Sequence, residues 1–274
     1  MIPMLFSETD RDQLFAAAQS DEYALSTKLD GKRLLCVMER TLNQEPTCTG
    51  FGRQGQIVAL APPLCRELTL AMPGVGQMIV DGELLFSGRY WVFDLVGAHY
   101  DGIHISAANS YKERQEALST LHEVHWGKKV RLLEHATTTS GKLALLLGIM
   151  ERHGEGVMAR NLGAPYRLGE RSSLDYKWKI IRTADCVVIG KGEAGKANLV
   201  LGCYDEANAL QVVGRVSSLT GDGPFVNIGD VVQVNYTSFN KQLIQPTRPT
   251  IRKDKLAKDC LINQLVPINT HLLE

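Results

Sequence analysis

Lys28, Asp30, Gly31 and Arg33 follow one another closely after an extended segment, placing a potential nucleophile between charged neighbours on a tight turn. An ordinary lysine, with a pKa near 10.4, is a weak nucleophile at neutral pH, so a reactive one needs a field that favours its neutral form. Arg33, Lys177 and Lys179 are cations that could supply it. Lys177 and Lys179 flank Trp178, so in a strand both ammonium groups point to one face, a geometry suited to gripping a phosphate. Glu83 and Glu155 each adjoin an apolar run, where a carboxylate can face a cleft without being buried unpaired. Both are hard oxygen donors for a divalent cation such as Mg²⁺, which needs only one or two carboxylates when phosphate oxygens complete its shell.

A lone K-x-D-G arises by chance in about 5% of chains of this length at average residue usage, so the pattern alone says little. Order adds to it. Asp81-Gly82-Glu83-Leu84, Phe93-Asp94, Glu155-Gly156-Val157-Met158 and Lys177-Trp178-Lys179 follow in series across nearly the whole chain. Together they resemble the motif series of the covalent nucleotidyltransferases, the family of ATP-dependent DNA ligases, RNA ligases and mRNA capping enzymes.

The resemblance implies a role for each residue. Lys28 would attack ATP and carry AMP as a phosphoramide. Asp30 and Arg33 would touch the ribose and neighbouring groups, the backbone near Ser26 would meet the adenine edge, and Phe93 would stack on the base. Glu83 and Glu155 would hold Mg²⁺, for which Mn²⁺ could substitute, and Lys177 and Lys179 would grip the α-phosphate. Arg53 matches a small Arg-beside-Gly motif that serves ATP and DNA, although Gly52 stands where the family more often has Ser. Arg171-Ser172 resembles an Arg-Ser pair that meets the nick phosphate, with Glu170 interrupting the usual Gly-Arg step. Arg160 stands where many relatives have Lys. Arg248-Pro249 and Arg252-Lys253-Asp254-Lys255 resemble the last motif, in which Arg252 and Lys255 would orient the leaving pyrophosphate.

The elements that must position these residues are read from periodicity and turn signals. A helix is expected within residues 8–19, with Ser7 as its cap. Strands are expected at Leu34–Met38, Gln56–Leu60, Gln77–Val80, Tyr90–Phe93 and Val130–Leu133, and helices at Tyr111–Glu123 and Lys142–Arg152. From Thr183 the texture changes to short β-branched runs at Cys186–Ile189, Asn198–Leu201, Leu210–Val213 and Asp230–Val234. About five strands with turn signals at roughly 8–12-residue spacing suggest a small barrel, and an OB-fold suits the length. The expected fold is therefore α+β: an adenylation (nucleotidyltransferase) domain of antiparallel sheets and helices over 1–182, followed by an all-β OB-fold domain over 183–274.

At 274 residues the chain is long enough for two domains, and 44% hydrophobic with 22% charged residues describes an ordered globular protein. The start has no basic apolar leader and no long apolar run follows, so the reading is a cytoplasmic, non-membrane monomer. The six cysteines never fall in C-x-x-C spacing, which argues against zinc and for reduced, incidental thiols. With 30 basic and 30 acidic residues, contact with nucleic acid must come from local clusters. Gly190 to Lys196 matches G-x-x-x-x-G-K, yet Ala197 replaces the Mg²⁺-binding hydroxyl and a strand-like run follows, so it reads as a hairpin. His122-Glu123-Val124-His125 lacks metalloprotease spacing.

The activity implied is that of a minimal ATP-dependent DNA ligase acting on nicked duplex DNA, with no further domain. RNA ligation, or capping by guanylyl transfer, is the alternative enzyme reading, and a nucleic-acid-binding OB protein with an inactive transferase domain is the alternative of another class.

Overall fold

A computed structural model describes residues 1–70, 72, 74–100, 102–192, 198–217 and 226–267. The chain divides into two compact units, one of Met1–Ile149 with Gly156–Trp178, the other of Met150–Glu155 with Lys179–Glu274. The first holds β1 (Leu5–Glu8), α1 (Arg11–Gln19), β2 (Tyr23–Thr27), β3 (Lys32–Arg40), β4 (Thr47–Phe51), β5 (Ile57–Val58), α2 (Pro62–Leu70), β6 (Gly76–Leu84), β7 (Tyr90–Tyr100), β8 (Ile103–Ile105), α3 (Tyr111–His125), β9 (Val130–Leu132) and β10 (His135–Ala136). It also takes most of α4 (Thr139–Glu151), then β11 (Gly156–Asn161) and nearly all of β12 (Arg171–Lys179).

Two sheets form this unit. One runs β5-β4-β3-β6-β7-β8, with β9 alongside β7; the other runs β1-β12-β11-β2-β10. The pleat of β3 shows how they pack. Leu34, Cys36 and Met38 point into a core shared with Leu64 and Leu68 of α2 and Leu118 and Leu121 of α3. Leu35 and Val37 point the other way, to Met4, Phe6, Val96 and Tyr166, where the second sheet covers the first. Gly82 permits the closest packing in the first core, because a Cβ there would lie 2.4 Å from the Trp91 carbonyl oxygen and 2.7 Å from the Tyr90 ring. The Tyr90 hydroxyl donates to the Leu34 carbonyl at 2.7 Å, so the buried phenol is satisfied.

The expected helices and strands are present, and short strands such as β4, β8 and β10 add to them. The cap of α1 is Asp10, whose side chain accepts from Gln13 N at 2.9 Å, while Ser7 lies in β1. Strand β1 was not anticipated, since it is four residues long and takes its ladder from β12, across most of the chain. Helix α2 was also missed; its opening Pro62-Pro63 reads as a break, although proline is compatible with the first helical turn. Helix α3 opens with the capping box of Ser110 and Glu113. The His122–His125 backbone belongs to α3, and these side chains lie outside the described ones.

The second unit is all-β in its sheets. β13 (Arg182–Lys191), β14 (Asn198–Tyr204), β15 (Leu210–Ser217), β16 (Val231–Tyr236) and β19 (Thr247–Ile251) form a five-stranded sheet ordered β15-β14-β13-β16-β19, and β17 (Ser238–Asn240) pairs with β18 (Gln242–Ile244). Its core is built from Val188, Leu201, Val213, Val232, Val234 and Tyr236, joined by Cys186, Cys203 and Cys260 as small apolar groups. β13, whose end carries the first residues of the glycine-rich match, pairs antiparallel with β14, and residues 193–197 between them lie outside the described residues. Among the described residues, no helix is long and apolar enough to cross a membrane.

Candidate functional site

The Lys28 loop joins β2 to β3 and is held at both ends. Lys28 N donates to the Gly156 carbonyl at 2.9 Å, tying the loop to the start of β11. Gly31 lies so close to β6 that a Cβ would sit 2.5 Å from the Leu84 carbonyl oxygen and 3.0 Å from Glu83 Cγ. Only glycine fits there, and that is the physical reason for its place in the K-x-D-G pattern. In the ladder beyond, Arg33 stands opposite Glu83. The fold thus gathers Lys28, Glu83 and the residue after Glu155 from three distant stretches of chain. Lys28 and Glu83 are half-buried and Asp30 is exposed.

Arg33 is committed to a partner that its sequence position did not reveal. Its Nε and Nη2 donate to the two carboxylate oxygens of Asp81 at 2.6 and 2.5 Å, and Asp81 also accepts from the Tyr166 hydroxyl at 2.5 Å. Tyr166 in turn accepts from Met4 N at 3.0 Å. Burial alone would lower the Arg33 pKa, but Asp81 outweighs it and holds the guanidinium above its ordinary value. The guanidinium lies 4.5 Å from the Phe93 ring centroid and 5.0 Å from that of Phe6. One face of Phe93 is therefore supported by Arg33 through a cation–π contact.

Beneath this layer lies a buried ion network. Asp94 accepts from Arg114 Nε and Nη2 at 2.8 and 3.0 Å and from Arg160 Nη2 at 2.6 Å, while Arg160 Nε lies 3.3 Å from Asp175. Burial would raise the Asp94 carboxyl, yet the two arginines together hold it below the usual range. Arg160 packs 4.2 Å from the Tyr111 ring centroid, so its charge serves the interior of the unit. Ser26 is buried on β2 between Met158 and His135 of the neighbouring strands. Burial, reinforced by Arg160, lowers the His135 pKa.

Lys142 is a rival nucleophile by one criterion, since burial lowers its pKa. Geometry rejects it. Its side chain is fully buried and Nζ donates to the Ser20 and Tyr23 carbonyls at 2.5 and 3.1 Å, the first of these closing the end of α1. Lys177 lies 3.5 Å from Glu8, a partner largely in solvent. Arg171 donates to the Phe6 carbonyl at 2.6 Å from an exposed position on β12, and Arg53 is exposed in the turn between β4 and β5.

The remaining candidates belong to the second unit. Lys179 Nζ donates to Gln245 Oε1 at 3.2 Å, and the Glu155 carbonyl accepts from Ile180 N at 3.0 Å. Arg252 and Lys255 share Asp185, at 3.2 and 2.7 Å. No group of three or more His, Cys, Asp or Glu side chains that could hold a metal occurs among the described residues. A donor set of single carboxylates such as Glu83 fits Mg²⁺ bound jointly with phosphate oxygens, and does not fit an all-protein cage.

No protein-family model matches the sequence. The chain is 27% identical over 244 residues to a protein from Nocardioides sp. named probable DNA ligase, an alignment covering 78% of this chain and 46% of that protein. It thus spans just under half the length of this curated relative. Among solved structures it is similar to a mycobacterial DNA ligase D complexed with ATP, at a TM-score of 0.56 and 20% identity over 95% of this chain and 98% of that one. It is also similar to a Lig E DNA ligase, at a TM-score of 0.60 and 18% identity over 92% and 100% of the two chains. These likenesses support the mixed α+β fold that the sequence led us to expect.

Proposed function

We propose that the chain is an ATP-dependent DNA ligase that seals nicks between a 5′-phosphate and a 3′-hydroxyl in duplex DNA. The observation that carries this reading is the pinning of the Lys28 loop between the Gly156 carbonyl and β6 at Glu83–Leu84, which brings the loop that bears Lys28 alongside the strand that bears Glu83. The similarity to a probable DNA ligase supports it.

In the proposed cycle Lys28 attacks the α-phosphate of ATP, and pyrophosphate leaves. AMP then passes to the 5′-phosphate at the nick, and the adjacent 3′-hydroxyl displaces it. Ser26, Asp30, Arg33 and Phe93 form the nucleoside end of the site, with Arg33 supporting one face of Phe93 so that the other can stack on adenine. Lys177 and Lys179 hold the α-phosphate, Arg252 and Lys255 the departing pyrophosphate, and Arg53 and Arg171 the DNA. Glu83 and Glu155 would hold Mg²⁺, which when bound neutralises charge on the phosphates. The functional division is an adenylation domain at about 1–182 and an OB domain beyond it, in a cytoplasmic monomer.

The test is incubation with ATP or NAD⁺ plus Mg²⁺, intact mass spectrometry, then transfer to a nicked duplex. A gain of one AMP from ATP alone, lost in Lys28→Ala and followed by sealing, is the expected result. An adduct without DNA sealing redirects the assignment to RNA, and no adduct with either donor overturns it.

A further inference from the structure

Asp185 lies on β13, almost wholly buried, and has no place in the site just assigned. Each of its carboxylate oxygens holds a cation. Lys255 Nζ donates to Oδ2 at 2.7 Å, and Arg252 Nη1 donates to Oδ1 at 3.2 Å, beside Gln233 Nε2 at 3.3 Å. The backbone of Asp185 is clamped as well: Gln264 Oε1 accepts from Asp185 N at 2.9 Å, and Gln264 Nε2 donates to the Asp185 carbonyl at 3.0 Å. The segment from Arg252 to Gln264 is therefore tied to one residue of the OB core near its start and at its end.

Burying a carboxylate is costly, and an apolar residue would serve packing alone better. What the carboxylate adds is orientation. Arg252 is fixed from a second side by Asp254, whose oxygens lie 2.8 and 2.7 Å from Nε and Nη2. These bonds use three of the five N–H donors of Arg252 and one of the three of Lys255. The unused donors remain on side chains that are 28% and 32% exposed, so both heads still reach solvent. Asp254 is 69% exposed and free to exchange with water, whereas Asp185 is fixed in the sheet. Two long, flexible cations are held in one geometry before any substrate arrives, which spares their rotamer freedom at the moment of reaction.

We propose that Asp185 is a positioning residue for the first chemical step, presetting Arg252 and Lys255 to receive pyrophosphate. The inference rests on the ligase reading above. In that step the bond from Lys28 Nζ to the α-phosphorus forms as the bond to the bridging oxygen breaks. The electron pair leaves on pyrophosphate, and the amine proton passes to water. Sealing of a nick that already carries AMP involves no pyrophosphate, so it does not need the pair.

The experiment compares two reactions of Asp185→Asn: formation of the Lys28 adduct from ATP, and sealing of a chemically pre-adenylated nick without ATP. Adduct formation is expected to fall at least about tenfold in kcat/KM for ATP, with sealing of the adenylated nick kept within about twofold. Asp185→Glu, which restores the charge, should recover part of the first reaction. If Asn does not fold, Glu is read by the same two reactions, with the smaller loss again confined to adduct formation. Equal loss of both reactions would mark Asp185 as merely structural, and loss of neither would also overturn the proposal. A wild-type chain that forms no adduct at all would instead refute the ligase assignment.

Discussion

Arg33 meets Asp81 through two parallel hydrogen bonds of 2.6 and 2.5 Å, and the same carboxylate takes the hydroxyl of Tyr166. A single buried carboxylate thus links β3, β6 and the segment before β12, and sets the guanidinium against Phe93. Asp81→Asn keeps the shape but removes the charge, leaving a largely buried guanidinium uncompensated. The expected cost is about 3 kcal/mol of folding stability, read as a lower urea midpoint at unchanged slope. An unshifted midpoint would show that the pair contributes nothing net.

Gly31→Ala tests the loop itself. The added methyl would meet the Leu84 carbonyl oxygen at 2.5 Å, a backbone atom that cannot swing aside, and Glu83 Cγ at 3.0 Å. The loop must lift or β6 must shift, at about 1–3 kcal/mol. Because Lys28 rides on that loop, adduct formation from ATP should fall by more than about tenfold, and a wild-type rate would refute the close packing.

What the sequence conveyed and what it did not divide along physical lines. Lys28, Gly31, Arg33 and Glu83 stand out because their types and order are improbable together, and the close approach of Gly31 to β6 accounts for one of them. The strands of the second unit are legible because β-branched runs broken by turns have few other readings. Asp81, Asp94 and Arg160 stand in or beside the motif series without any sign of their partners, and Arg114, Asp175 and Tyr166 read as ordinary residues, since the pairings that matter form only when the two sheets close. Asp185 was hidden for the same reason. Arg252 and Lys255 announce themselves as a charge run, but the carboxylate that orients them lies far back along the chain. Strand β1 has no local signal at all, its hydrogen bonds being made with β12.

His135 supplies a pH dependence. Burial, with Arg160 adding to it, lowers its pKa, so the folded state resists protonation where the unfolded chain does not. The unfolded histidine begins to bind a proton below about pH 6.5, and from there stability is lost as pH falls toward the folded value. Stability is fully present above that window. Urea midpoints of the wild type should fall between pH 7 and pH 5, and His135→Gln should flatten the decline. Parallel curves for the two proteins would assign the acid sensitivity elsewhere. His135 pairs with Ser26 in the sheet, so adduct formation should weaken over the same range.

DNA binding should be weak and governed by salt. The chain carries 30 basic and 30 acidic residues, so no global field draws it to a polyanion. Several of its arginines are spent inside, with Arg33, Arg114 and Arg160 all paired to buried carboxylates. Of the cations left at the surface, Arg53 and Arg171 are the ones proposed to meet phosphates. Each phosphate neutralised contributes about 0.9 to the slope of log K against log salt, so a handful of contacts predicts a fall of roughly ten- to a hundredfold between 50 and 200 mM. Fluorescence anisotropy with a nicked duplex measures it, using protein with Lys28→Ala to prevent turnover. Removing Arg53 or Arg171 should each lower the slope by about one, because each is expected to release about one counterion. A flat salt response would mean that recognition comes from neutral contacts, and neither arginine would then belong to the DNA face.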